Sequence, residues 1–177
     1  MSKWNRVYKP IVVLVAICLI VTGTLAATNQ ATAPIISKAI AEAQQKARKE
    51  LLPDADEFES LKDIKADNVS DVSVAKNGAG TVITAHGKGY GGKMTVMVAF
   101  SSDDTIKQIK VTEQAETQGV GTRVTVKTDF WKQFEGKSAG EELKIGENID
   151  KVTGASVSSK AVTAAVNSAI NAYNMIP

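Results

Sequence analysis

The sequence predicts an α+β protein: a single N-terminal transmembrane helix and helical stalk, then an antiparallel-sheet domain closed by a C-terminal helix. Three observations carry that reading. An uncharged apolar run, Ile11–Ala27, lies near the start. Two β-rich runs, Thr81–His86 and Lys93–Phe100, flank a glycine-rich turn. From Val157 to Asn174, apolar residues recur at spacings of three and four.

Residues 1–10 are a short tail carrying Lys3, Arg6 and Lys9. The seventeen residues that follow, 11–27, reach the lower end of the roughly 17–25 needed to cross a bilayer. Trp4 and Tyr8 stand just outside, where amphipathic rings settle at the headgroup level. Pro10 suits a first helical turn. A cleaved signal peptide shares the basic tail and the small residues near Ala26 and Ala27, but its apolar core is usually only ~7–15 residues. Length therefore favours a retained anchor. Cys18 is a poor lipidation site, because Ile17 precedes it and apolar residues continue beyond; it reads as a lipid-facing or helix-packing residue. The basic tail predicts a cytoplasmic N-terminus by the positive-inside rule, and hence an extracytoplasmic domain on a single-pass cell-membrane protein.

Residues 28–52 form the stalk. Ile35, Ile36, Ala39, Ile40, Ala43 and Ala47 mark one helical face, and Pro53 with Asp54 stops it. That face fits a partner contact or a helix lying on the domain equally well. Residues 53–177 form the domain. Val69, Val72 and Val74 predict a strand, and Asn77–Gly80 a turn. Ser101–Thr105 reads as a polar turn before a strand through Ile106, Ile109 and Val111. Three or four short strands joined by turns predict an antiparallel sheet. Asp129–Phe134 reads as a helical turn ending at Gly136.

Composition narrows the functions available. The 177 residues carry 21 Lys+Arg against 19 Asp+Glu; setting the tail's three cations aside leaves 18 against 19. The body thus has no basic face for nucleic acid, and 5% aromatics make no stacking platform for single strands. One Cys excludes an internal disulfide and all-Cys metal sites, and one His excludes histidine-paired zinc. No nucleophile–base pair or metal cage is evident. Redox chemistry, if present, must come from an organic cofactor.

Before the last helix runs Asp150-Lys151-Val152-Thr153-Gly154-Ala155-Ser156-Val157-Ser158-Ser159. Read plainly, Ser and Thr cap a helix and Gly-Ala makes the turn. Read functionally, Ser156 offers a hydroxyl where helix amides and the positive dipole end hold phosphate. Ser158 and Ser159 are the neighbouring hydroxyls. Three further strings precede it in order: Gly89-Tyr90-Gly91-Gly92, Glu116-Thr117-Gln118-Gly119-Val120-Gly121, and Phe130-Trp131-Lys132-Gln133-Phe134-Glu135-Gly136-Lys137.

With these four elements, the anchor and the stalk, the chain resembles the FMN-binding domain family, and within it the G subunits of Rnf electron transport complexes. The resemblance covers nearly the whole chain. It implies FMN held covalently through a phosphoester on Ser156, installed by a flavin transferase that uses FAD. It implies that Asp150, Thr153, Gly154 and Ala155 belong to the attachment stretch, and that Glu116, Thr117 and Gly119 lie near the flavin. Gln118 replaces the usual Pro, and Ser156 the commoner Thr. Tyr90 reads either as a pocket residue or as a tyrosine packed on the sheet, Trp131 as core, and His86 as an ordinary sheet-edge residue. The implied function is an electron relay, without a substrate site of its own, among the other membrane subunits of a complex that oxidises ferredoxin, reduces NAD and moves ions. The alternatives are a stand-alone extracytoplasmic FMN-binding carrier or sensor and a pilin-like assembly protein. Against the last, no acidic residue occurs before Glu42.

Overall fold

Helix α1 spans Lys9–Leu51 without a break, running through Pro34. The predicted anchor and stalk are thus one continuous element. The computed structural model describes residues 8–61, 63–119, 121–126 and 129–176, so Lys3, Trp4, Arg6 and Val120 lie outside the described residues. The chain divides into two compact units, Met1–Ala43 and Gln44–Pro177.

In the first unit the helix is long and apolar enough to cross a membrane. Leu14, Leu19 and Leu25 are all exposed on it, and so is Cys18. Two of its hydroxyls are bonded back within the helix: Thr24 donates to the Ile20 carbonyl at 2.8 Å and Thr28 to that of Thr24 at 2.9 Å. Bonding four residues back satisfies a polar group that lipid cannot.

The second unit is built on five antiparallel strands in sequence order: β1 Phe58–Ser60, β2 Val69–Ala75, β3 Gly80–Lys88, β4 Lys93–Ser101 and β5 Ile106–Glu113. A 3-10 turn at Gly121–Val124, the short helix α2 at Asp129–Lys132 and the helix α3 at Ser156–Tyr173 complete it. The fold is therefore the α+β architecture the sequence predicts, with one strand more. β1 escapes pattern reading because Phe58-Glu59-Ser60 holds a single apolar residue; it exists by pairing with Ser73–Ala75. In β2 a bulge between Val69 and Asp71 explains an apolar spacing of three inside a strand.

Both faces of the sheet are covered, which is why Met94–Phe100 is buried without alternation. On one face Ile83, Val98, Phe100 and Ile109 pack with Val162 and Val166 of α3 and with Phe130 and Phe134. On the other, Ala75, Val82, Met97 and Ala99 meet Ala47, Leu51, Leu52 and Ala55. The last turn of α1 is thus core. His86 is not at a sheet edge: it lies in the inner strand β3 opposite Thr95, and its backbone N–H donates to the Asn68 carbonyl at 2.7 Å. Pairing order is a tertiary property that composition around one residue does not reveal.

Candidate functional site

Gly154, with φ +81°, turns the chain into α3 at a conformation that favours glycine. The helix opens with Ala155 as its cap and no side-chain capping bond, so the expectation that a Ser or Thr caps this helix does not hold. Ser156 instead occupies the first helical position. Its hydroxyl makes no hydrogen bond among the described residues, and the residue is half-buried. The two hydroxyls that follow are consumed by structure. Ser158 Oγ donates to Glu116 Oε2 at 2.6 Å, and Ser159 Oγ donates to the Ala155 carbonyl at 2.9 Å while accepting the Val152 N–H at 3.1 Å. Ser158 is 2% and Ser159 0% exposed, which separates them from Ser156 as candidates for attachment.

Glu116 is the hub of the site. Only 8% exposed, it follows β5 and accepts the Gly91 N–H on Oε1 at 3.1 Å and Ser158 on Oε2. It therefore ties together the β3–β4 turn, its own loop and the start of α3. The glycines around it are there for space: a Cβ at Gly89 or Gly121 would strike the Glu116 side chain, and one at Gly91 would strike the Ala115 carbonyl. Gly89 and Gly91 do not betray this in sequence, because the atoms they avoid belong to Ala115 and Glu116, more than twenty residues along the chain.

The aromatic segment positions the loop before α3. Trp131, buried as expected, donates from Nε1 to the Val124 carbonyl at 2.7 Å. Gln133 grips the backbone of Asp150, accepting its N–H at 2.6 Å and donating to its carbonyl at 3.3 Å. Phe130 and Phe134 meet edge to face at 5.3 Å within the core.

The β3–β4 turn, the loop after β5 and the start of α3 line an open cavity of about 510 Å³. Tyr90, Glu116, Thr117, Gly154, Ala155 and Ser156 line it, joined by Gly121, Val157 and Ser158, which sequence reasoning did not single out for the cavity. Asp150, Thr153 and Gly119 do not line it. Asp150 is held by Gln133, the Thr153 carbonyl accepts from Arg123 Nη1 at 3.5 Å, and the Gly119 N–H donates to Thr122 Oγ1 at 2.9 Å. Tyr90 is 80% exposed at the rim, so it is not packed on the sheet.

A cavity with Gly121 and Gly154 in its wall, beside a free hydroxyl at a helix N-terminus, can receive a phosphate-bearing ligand. Among the described residues no group of His, Cys, Asp and Glu could hold a metal ion. Comparison with known proteins agrees on the ligand. Residues 89–171 match the FMN-binding domain family, and residues 1–51 match the RnfG N-terminal region. The chain is 33% identical to the G subunit of the Na(+)-translocating ferredoxin:NAD(+) oxidoreductase complex of Acetobacterium woodii, over 96% of this chain and 93% of that one. It is 30% identical to the G subunit of the ion-translocating oxidoreductase complex of Methanosarcina acetivorans, over 97% and 96%. It is also 30% identical to the G subunit of the proton-translocating ferredoxin:NAD(+) oxidoreductase complex of Clostridium ljungdahlii, over 86% and 84%.

Proposed function

This chain belongs to the family of G subunits of Rnf-type ion-translocating oxidoreductase complexes, and on that premise we propose that it carries FMN as a phosphoester on Ser156 and relays electrons between other subunits of such a complex. Family membership supports an electron-transfer subunit with an FMN-binding domain, and it leaves no reason for a pilin-like reading. A long apolar helix and membrane-complex relatives support a membrane location.

One observation carries the attachment site. Of the three serines at the start of α3, Ser156 alone has a hydroxyl that is both within the cavity and free of a hydrogen bond among the described residues. Loading would proceed by attack of Ser156 Oγ on the FMN-side phosphorus of FAD, held by a flavin transferase. The Oγ–P bond forms, the phosphoanhydride bond breaks, AMP leaves with the electron pair, and the hydroxyl proton passes to water. The first-turn amides and positive end of α3 would favour the negative charge of a phosphate on Ser156. Bound FMN supplies the redox centre, and the protein supplies position and electrostatics. Glu116 holds the cavity walls, and Gly89, Gly91 and Gly121 keep it open. A covalent link retains the cofactor outside the cytoplasm, where free FMN is scarce.

The test is Ser156→Ala in protein coexpressed with a flavin transferase. Flavin fluorescence in the denatured band and the added FMN mass should both vanish, while Ser158→Ala and Ser159→Ala retain them; persistence in Ser156→Ala sinks the assignment. The basic residues Lys3, Arg6 and Lys9 support a cytoplasmic N-terminus and an extracytoplasmic domain. With Cys18 removed, a cysteine introduced at the exposed Lys65 should react with a membrane-impermeant reagent in intact cells. Labelling only after lysis would reverse the orientation.

A further inference from the structure

We propose that Glu116, beyond bracing the cavity, sets the reduction potential of the cofactor at Ser156 by placing a fixed negative charge in the cavity wall. The inference rests on the reading that Ser156 carries FMN. Both carboxylate oxygens act as acceptors: Oε1 takes the Gly91 N–H at 3.1 Å, and Oε2 takes the Ser158 hydroxyl at 2.6 Å. The Glu116 side chain donates no hydrogen bond among the described residues, as suits an ionised carboxyl group, which only accepts, and 2.6 Å lies in the range of a charge-assisted O–H···O⁻ bond. Among the described residues no Lys or Arg pairs with Glu116, although six ion pairs form elsewhere in the domain. The charge is therefore stabilised by neutral donors and keeps its field.

That field reaches the site. Glu116 lines the same cavity as Ser156, and its partner Ser158 is two residues along α3, a rise of about 3 Å. At 8% exposure the carboxylate is screened far less than a surface charge. An electron taken up here without a matching proton would add negative charge beside the carboxylate, so Glu116 would oppose that step and hold its potential low. Two neutral hydrogen bonds would suffice to brace the loops; a glutamine in the same shape would do it. What the carboxylate adds is charge.

The test uses the full chain, coexpressed with a flavin transferase and purified in detergent, with potentiometric titration followed by flavin absorbance. Glu116→Gln keeps the side chain's shape and an acceptor for Gly91, and it should shift the potential upward. Ser158→Ala keeps the charge and removes a donor that spreads it, and it should shift the potential downward. A bracing role alone would loosen the same cavity in both variants and move the potential the same way. An unmoved or lowered potential in Glu116→Gln, or equal-signed shifts in both, overturns the inference. If Glu116→Gln does not fold, Ser158→Ala decides alone, and anything but a downward shift is fatal. Covalent flavin is first verified in the denatured wild-type band. Its absence there would overturn the Ser156 assignment and this inference with it, whereas covalent flavin with unmoved potentials overturns this inference only.

Discussion

Arg48 Nη2 donates to Asp71 Oδ2 at 3.0 Å, joining the last turn of α1 to strand β2 with both side chains largely shielded. Asp71 also accepts Ser60 Oγ on Oδ1 and Ser73 Oγ on Oδ2, each at 2.6 Å. Three elements thus converge on one carboxylate. Removing it leaves the Arg48 guanidinium without its counter-charge in a site 9% exposed, and breaking such a pair costs about 3–5 kcal/mol. Asp71→Ala should therefore lower the urea midpoint of the detergent-solubilised chain well beyond a surface substitution. Lys76→Ala, which breaks an exposed pair with Glu57, is the comparison and should change it little.

The same turn sets where the chain can be cut. Removing residues 1–43 takes away one compact unit and leaves the other's core complete. Removing residues 1–52 also deletes Leu51 and Leu52, at 1% and 0% exposure, whose loss costs about 2–5 kcal/mol each by analogy with Leu→Ala. The first truncation should yield a soluble domain that accepts flavin yet does not support membrane electron transfer. The second should aggregate or melt far lower. Equal thermal stability of the two would contradict the packing of α1 on the sheet.

Gly121→Ala tests the fit around Glu116. A methyl group there strikes the carboxylate, so the Glu116–Ser158 bond must break or the loop must move. Covalent flavin per chain should fall sharply in coexpression. Gly140→Ala, where the nearest atom to a new Cβ is at 3.6 Å, should load normally. Normal loading of both would show that the cavity tolerates a displaced Glu116.

Tyr173 predicts an alkaline limit. It stacks on Phe100 at 4.4 Å and donates to Asp104 Oδ1 at 2.7 Å. Burial, then the bond to Asp104, pushes its pKa up to about 12 from 10.0. A raised pKa means that the folded state keeps a proton which the unfolded state releases. The stabilisation is therefore complete below pH 10.0 and is lost as pH rises towards about 12. Tyr173→Phe should be less stable at neutral pH and should flatten the fall in stability across that window. Parallel curves for the two proteins would contradict the assignment.

Local pattern determined much of this protein. An uncharged run of seventeen residues, glycine-rich turns between β-rich runs and a 3.6-residue periodicity each express a preference decided within a few neighbours. They carried the long apolar helix, the sheet class and α3, and the order of four short motifs carried the family. Tertiary structure alone decided the rest. β1 is a strand only because Ser73–Ala75 offers it partners, and His86 is interior only because β2 and β4 flank its strand. The grip of Gln133 on Asp150 gave the aromatic segment its role. Glu116 and Ser158 lie 42 residues apart, and nothing near either announces the other. A hydrogen bond over that separation depends on how the sheet and α3 pack, so the reason for Gly89 and Gly121, and the burial of Ser158 and Ser159 beside a hydroxyl left free on Ser156, emerge only when the chain has folded.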